Sequence, residues 1–509
     1  MAVGRVPYGR PPFAGHWSQP LALAACAGFL GLILFAVVAS GQVAVLLGLV
    51  AAAALAYTAW RWPMQTVIAL MVLLPISRFL SFAAFTATDS TTVLRASQTW
   101  KDVVLAVLVI RMVHDAFLRR QAPRVHFLDL LVVFYILLVA AYVIYPGDEQ
   151  QSSRTVRLLA FRQDAFYLLA YFVGRGLTIS REHLRQMLLT LAGISVVIAA
   201  VAVWQWAAPG MSNKLFDKLG YSEFTEAVGT PHEAELVRSR LLAGGELPRA
   251  SSLFLADLGL AFYQILLIPI AAGLFFSVRR GLSSLSSGFL LLLMIGTMGL
   301  TVARAPALAA IAGLALLILA SRSFLRGTWT AVGLAAMALV FVLVSGFSPS
   351  QLSELFSSQE SSALAHTELI RRSTELLQAN PLGLGLGNGS HVSILANNVG
   401  TGSVPAWATE TWYLQLGLEM GVAAIFLFCA ILLGVTAAGL IASFHVRDQW
   451  LRALTLGVAG AGTGFILVGV FHPVWAAVQV AYIFWIFAGI SVRAQQLDAE
   501  WDRTQEDSG

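Results

Sequence analysis

Charge is what this chain has least of. Only 12% of its 509 residues are Asp, Glu, Lys or Arg, about half the share of an ordinary soluble domain. Lysine occurs three times, at Lys101, Lys214 and Lys218, and cysteine twice, at Cys26 and Cys429. Two cysteines inside apolar stretches exclude a disulfide framework and a cysteine metal cluster, and they read as packing residues. No HExxH, GxSxG or Walker lysine occurs, so zinc-protease, serine-hydrolase and P-loop chemistry lack support. Neither a metal nor a cofactor is expected.

What fills the chain instead is apolar: 58% of the residues are hydrophobic, with a mean hydropathy of +0.77. A bilayer-spanning helix needs about 20 mostly apolar residues. Such segments recur near 21–39, 43–60, 65–84, 102–118, 127–145, 158–178, 184–207, 252–277, 285–303, 305–321, 328–346, 411–441, 450–471 and 474–492. Merging or splitting neighbours gives about 12–14 spans. The expected fold is an all-α polytopic transmembrane helix bundle, with a large, partly helical periplasmic loop before the third-last span.

Basic residues in short loops set orientation. Arg5, Arg10, Arg61, Arg119, Arg120, Arg124, Arg181, Arg185, Arg279, Arg280, Arg322, Arg326, Arg447 and Arg493 fall on one side when the spans are taken in turn, which predicts both termini in the cytoplasm. No small-residue cleavage site follows the basic amino terminus, so the first apolar run reads as a retained helix rather than a signal peptide. The predicted organisation is a cytoplasmic tail at 1–20, N-terminal transmembrane helices at 21–207, a periplasmic loop at 208–251, and central transmembrane helices at 252–346. A large periplasmic loop at 347–410, C-terminal transmembrane helices at 411–492 and a cytoplasmic tail at 493–509 complete it.

The net charge of +5 is spread over loops rather than gathered on one face, which argues against nucleic acid as a partner. The outward segments nevertheless carry Lys101, Arg154, Arg157, Lys214, Lys218, Arg238, Arg240, Arg249, Arg304, Arg371 and Arg372. That excess runs against the usual bias and invites an anionic ligand such as phosphate, which arginine grips with two parallel N–H groups. For the Glu-rich run from Lys214 to Arg240, pairing with neighbouring acids is the simpler reading.

Arg304 is harder to explain away. It lies in "GLTVARAPALAA", at a junction between two apolar segments with almost no loop, a depth at which an unpaired charge costs a few kcal/mol. Arg249, in "LPRASSLFLADLG", precedes another span, so the two guanidiniums are placed to converge on one anion. The segment "SSALAHTELIRRSTELLQAN" has the spacing of an amphipathic helix stopped by Pro381, from which Arg371 or Arg372 would reach them.

Gly383, Gly385, Gly387 and Gly389 lack the strand-to-helix context of a nucleotide loop and read as a flexible connection back to the bilayer. Beyond them, Trp407, Trp412 and Tyr413 either form an interfacial belt or offer ring faces for stacking on a ligand. The outward histidines His232, His366, His391 and His472 show no metal-ligand spacing, and His472 reads as a cap or interfacial residue.

Taken in order, Arg249 before a span, "TVARAPALAA", "RRSTELLQANPLGLGLGNG" and "ETWYLQLGLEMGVAAIFLF" resemble the O-antigen ligase and O-antigen polymerase (Wzy-like) superfamily. The resemblance covers residues 249–428. It implies a bacterial inner-membrane glycosyltransferase whose site faces the periplasm and whose donor is glycan linked to undecaprenyl pyrophosphate. Membrane lipids, an acceptor glycan or lipid, a flippase and chain-length regulators would be its partners.

By that resemblance Arg249 and Arg304 hold the pyrophosphate, Arg371 or Arg372 adds a further basic contact, and Tyr413, Gln415, Glu419 and Gly421 match the pattern. Glu410 stands where the ligases carry histidine, which favours a polymerase-like member over a ligase acting on lipid A core. Glu410 is then the candidate general base, with Trp412 and Tyr413 as glycan contacts and Glu419 as a packing residue. The rival of another class is a lipid-linked oligosaccharide flippase or secondary transporter, whose pathway would use Arg78, Arg111, Arg162, Asp164 and Arg175 within the spans.

Overall fold

The computed structural model describes residues 43–119, 125–144, 153–228, 235–242, 245–277, 282–320, 328, 361–390 and 409–506. The tail 1–20, the expected span 21–39, nearly all of the expected span 328–346, and Cys26, His232, His391 and Trp407 lie outside them. The chain divides into two compact units, Met1–Tyr57 and Thr58–Gly509, and the candidate site lies wholly in the second.

Apart from one two-stranded hairpin, every described element is a helix. Five are long and apolar enough to cross a bilayer: Phe127–Ile144, Arg181–Ala207, Asp257–Ser277, Val422–His445 and Gln449–Val468. Joining Pro63–Leu73 to Ser77–Thr88, and Val478–Val492 to Ala494–Arg503, raises the number to seven among the described residues. The protein is a multi-pass, all-α membrane protein.

Several expected spans are interrupted. The 158–178 segment breaks into Arg154–Asp164, a 3-10 turn at Phe166–Leu168, and Leu169–Gly176. The 411–441 segment breaks at Gly421, whose φ of 81° stops Trp412–Met420 before Val422–His445 begins. Hydropathy reports composition and is blind to such backbone breaks.

Two packing environments are present. Phe127–Ile144 leaves Leu130, Phe134, Leu137 and Ile144 exposed, as suits a face solvated by lipid. Asp257–Ser277, Gln449–Val468 and Val478–Val492 are buried almost throughout and form the centre. Small residues let these backbones touch: a Cβ on Gly273 would lie 2.3 Å from the carbonyl oxygen of Ala453, and one on Gly489 2.0 Å from that of Tyr171. Membrane helices associate through such close approaches because lipid supplies no hydrophobic drive between them.

Several charges within the helices are paired. Arg175 donates from Nε and Nη2 to Asp129 at 2.9 and 2.8 Å, and the Tyr171 hydroxyl joins them at 2.6 Å. Arg162 bonds Asp102 at 2.6 Å and Arg111 bonds Asp115 at 3.1 Å.

The 208–251 segment, expected as a loop, folds into helices Pro209–Lys218 and Tyr221–Ala227 and the hairpin Arg238–Leu242 with Gly245–Arg249. An aromatic cluster of Phe82, Phe216, Tyr221 and Phe224 roots it on helix Ser77–Thr88.

Candidate active site

The hairpin register sets Arg238 directly opposite Arg249, a pairing of like charges that destabilises a ladder. Asp257 resolves it. Only 3% exposed, it accepts from Arg238 Nη2 at 2.6 Å and pairs with Arg249 through its other oxygen. Asp257 also opens its helix, where the macrodipole favours a carboxylate.

Arg249 reaches further, donating from Nε to the Thr301 carbonyl at 3.1 Å, while Ala250 N–H donates to the Leu300 carbonyl at 3.0 Å. These bonds tie the hairpin to the turn at 301–303, where Val302 takes a φ of 52°. Helix Arg304–Ala320 starts there, with Arg304 as its first residue. A guanidinium at the positive end of a helix dipole gains nothing from that helix, so the position concentrates positive potential.

Two histidines lie within electrostatic reach of these arginines, His366 of Arg304 and His472 of Arg249. His366, on helix Ser361–Ala379, bonds the Phe471 carbonyl through Nε2 at 2.8 Å and pairs through Nδ1 with Glu410. A carbonyl accepts only from N–H and a carboxylate favours the same, so both contacts favour a proton on the ring nitrogen of His366 that faces them. Its pKa accordingly lies above the ordinary 6.5, chiefly through the hydrogen bond with Glu410; burial and nearby Arg304 oppose the rise.

His472 faces His366 with ring centroids 5.5 Å apart and packs near Phe262 at 5.9 Å. Burial first, then the neighbouring His366 charge, pulls its pKa down to about 4, and Arg249, Asp257 and Glu410 also act on it. One histidine whose pKa is raised and one whose pKa is lowered thus stand side by side, a divergence of titratable groups typical of acid–base sites.

The structure therefore brings Arg249, Arg304 and Glu410 around His366 and His472. Three guanidiniums, counting Arg238, meet two carboxylates there, and Glu410 keeps a side chain 49% exposed.

Arg371 and Arg372 are placed differently. Arg371 bonds Glu368 at 2.9 and 2.7 Å and Glu375 at 2.5 Å, and Arg372 bonds Glu368 at 2.8 Å, all on their own exposed helix. These bonds hold Glu368 down at a pKa of about 2.

Trp412 is fully buried between Tyr167 and Phe428, with centroids 6.4 and 5.8 Å away; here it is a core residue, neither belt nor sugar platform. Its apolar neighbours come from elements remote in sequence, which local pattern does not reveal. Half-buried Tyr413 donates its hydroxyl to the Ile466 carbonyl at 2.9 Å.

The glycine run is docked rather than flexible. Leu384 N–H donates to the Leu418 carbonyl at 2.6 Å, Gly385 N–H to that of Glu419 at 3.1 Å, and Gly389 N–H to Glu419 Oε1 at 3.3 Å. Gly383, Gly385 and Gly387 have φ of 88°, 96° and 84°, and a Cβ on Gly383 would lie 2.7 Å from the nitrogen of Gly421. The buried Glu419 carboxyl also neighbours the buried carboxyl of Asp164, which accepts from the Gln415 side-chain amide at 2.9 Å. Glu419 thus locks the loop onto the helix break.

Sequence reasoning missed His366 as the partner of Glu410, His472 as its neighbour, and Asp257 as the bridge between two arginines. For His472 the available signal was a histidine–proline step between two apolar segments. For His366 it was an unexplained histidine at the start of the amphipathic helix.

A multi-pass helical membrane protein that gathers arginines, histidines and a carboxylate at one end of the bundle is the class that fold and site define. Residues 289–429 match the family model described as O-Antigen ligase, Wzy_C, so this stretch of the chain is similar to that family. The matched stretch includes Arg304, His366, Glu410 and Glu419, while Arg249, Asp257 and His472 fall outside it. No curated protein matches the chain.

Proposed function

We propose that the protein is a bacterial inner-membrane glycosyltransferase of cell-surface polysaccharide assembly, working at the periplasmic face. It transfers glycan from undecaprenyl pyrophosphate to an acceptor glycan, as an O-antigen or exopolysaccharide polymerase does. The observation that carries this reading is the meeting of Arg249 and Arg304, from two separate junctions, beside the His366–Glu410 pair.

The acceptor hydroxyl attacks the anomeric carbon as the bond from that carbon to the diphosphate oxygen breaks. Arg249 and Arg304 take up the charge on the departing diphosphate from fixed positions, without solvent reorganisation. Glu410 accepts the hydroxyl proton, held in orientation by His366. One displacement inverts the anomeric configuration, and no metal is required.

Arg371 and Arg372 belong to this reading as outer contacts that a phosphate would have to win from Glu368 and Glu375. The undecaprenyl tail lies along the lipid-facing helices, and a flippase and chain-length regulators supply and meter the substrate. A carrier reading is less well supported, because Arg111, Arg162 and Arg175 are each committed to a neighbouring carboxylate. A ligase differs only in acceptor.

Purified protein given the lipid-linked glycan tests the reading. Arg304→Ala and Glu410→Ala, folded as judged by thermal unfolding, should each lower product formation by roughly 100- to 1,000-fold. Normal product length and amount in both would sink the assignment, and retention at the new linkage would sink the single displacement.

A further inference from the structure

A separate cavity of about 380 Å³ opens among the helices at the same end of the bundle, with room for about a dozen waters. The 472–479 connection serves both places, contributing His472 to the active site and Gln479 to this cavity. Arg78, Lys101 and Arg162 line it, with Gln98 and Gln163, and no carboxylate lines it among the described residues. The nearest acid, Asp102, is already engaged by Arg162 at 2.6 Å and by the Tyr482 hydroxyl at 2.5 Å.

Lys101 is the telling residue. One of only three lysines, it is 9% exposed, and its ammonium, with three donors, has a single hydrogen bond among the described residues, to the Gln98 carbonyl at 2.6 Å. The Gln163 side-chain nitrogen is also buried without a partner among the described residues. Buried donors left unmet are costly, and Arg162 is held rigid by its bonds to Asp102 and to the Gln98 carbonyl at 3.0 Å. The pocket is wide enough for a sugar ring and furnished for an oxyanion.

We infer that this cavity binds an anionic group, a carboxylate or phosphate, carried by a saccharide substrate and distinct from the diphosphate held by Arg249 and Arg304. The inference rests on the proposed glycosyl transfer for the identity of the substrate. An acidic sugar seated here would be selected by Lys101 and Arg78, with the amides bonding its hydroxyls.

Calorimetric titration of the full chain in lipid nanodiscs tests this, with glucuronate, inorganic pyrophosphate and, as neutral control, glucose. Pyrophosphate is measured in Arg304→Ala, so that the active site does not mask the cavity. One of the two anions should bind saturably, at least tenfold more weakly after Lys101→Met or Arg78→Gln, and glucose should not bind. Glucuronate binding identifies an acidic sugar; pyrophosphate binding that survives Arg304→Ala identifies a phosphate group. Thermal unfolding checks each variant, and Arg78→Gln decides the matter if Lys101→Met fails to fold.

Binding of neither anion, or binding indifferent to both substitutions, overturns the inference. The readout does not depend on turnover. Loss of product in Arg304→Ala without cavity binding removes only this inference, whereas cavity binding with undiminished product in Arg304→Ala removes only the proposed transfer site.

Discussion

His366 holds Glu410 through Nδ1 while its Nε2 is committed to the Phe471 carbonyl, so the ring and the carboxylate depend on one another for charge. The folded pKa of His366 lies above the ordinary 6.5. A raised histidine pKa adds stability that is complete below the unfolded value and is lost as pH rises through the folded one. Wild type should therefore out-melt His366→Gln most clearly below about pH 6.5, and the gap should close as the medium turns alkaline. Thermal unfolding of both proteins across a pH series checks this; a constant gap would mean that the pair is uncharged.

Asp257 neutralises two facing arginines, and its removal should hurt more than removal of either of them. Asp257→Asn is expected to cost ~2–3 kcal/mol, toward the low end for a buried pair because both guanidiniums are partly exposed. Adding Arg238→Gln should recover part of that loss, since it removes the repulsion across the hairpin. A double-mutant cycle by denaturant or thermal unfolding measures the recovery, and additive losses would count against the bridge.

Gly421 should tolerate no side chain. Its φ is 81°, and a Cβ would lie 2.6 Å from the Pro381 carbonyl oxygen, so Gly421→Ala is expected to destabilise by about 1–3 kcal/mol. Gly193 offers the contrast. It sits within helix Arg181–Ala207, with nothing within 4 Å of the place a methyl group would take, and Gly193→Ala should stabilise by about 0.5–1 kcal/mol. Melting temperatures of the two variants should move in opposite directions.

Arg371 and Arg372 should matter less to transfer than Arg304. Their guanidiniums lie 56% and 66% exposed against carboxylates of their own helix, so the double alanine variant should melt essentially like wild type. Its turnover should fall far less than the roughly 100- to 1,000-fold expected for Arg304→Ala. Equal losses in a product assay would move these two residues to the centre of the site.

The membrane class and the position of Arg304 were legible because both follow from local composition: long apolar runs, and a cation where such runs meet. The excess of outward arginines singled out Arg249 and Arg304, which the structure brings near His472 and His366. What stayed hidden depends on contacts between distant segments. Arg238 and Arg249 oppose each other only once a hairpin forms, Trp412 becomes core only when Tyr167 and Phe428 close around it, and the glycines read as flexible because their partners at 418–421 lie some thirty residues away. His366 was visible as a residue but not as a partner, since nothing near it in sequence names Glu410.

Thr409 N–H donates to the Gly389 carbonyl at 3.2 Å, so the glycine-rich segment 381–390 and the residues that lead into helix Trp412–Met420 are bonded directly to each other. Gly389 is anchored on Glu419, and Thr411 caps the next helix by accepting from Leu414 N–H at 3.2 Å. Glu410 follows Thr409 and precedes Thr411 in the chain, so both of its neighbours are tied down. The backbone on either side of this carboxylate is therefore held like a bead between two knots, and its position is set by bonds of Thr409 and Thr411 that no side-chain substitution at 410 would remove.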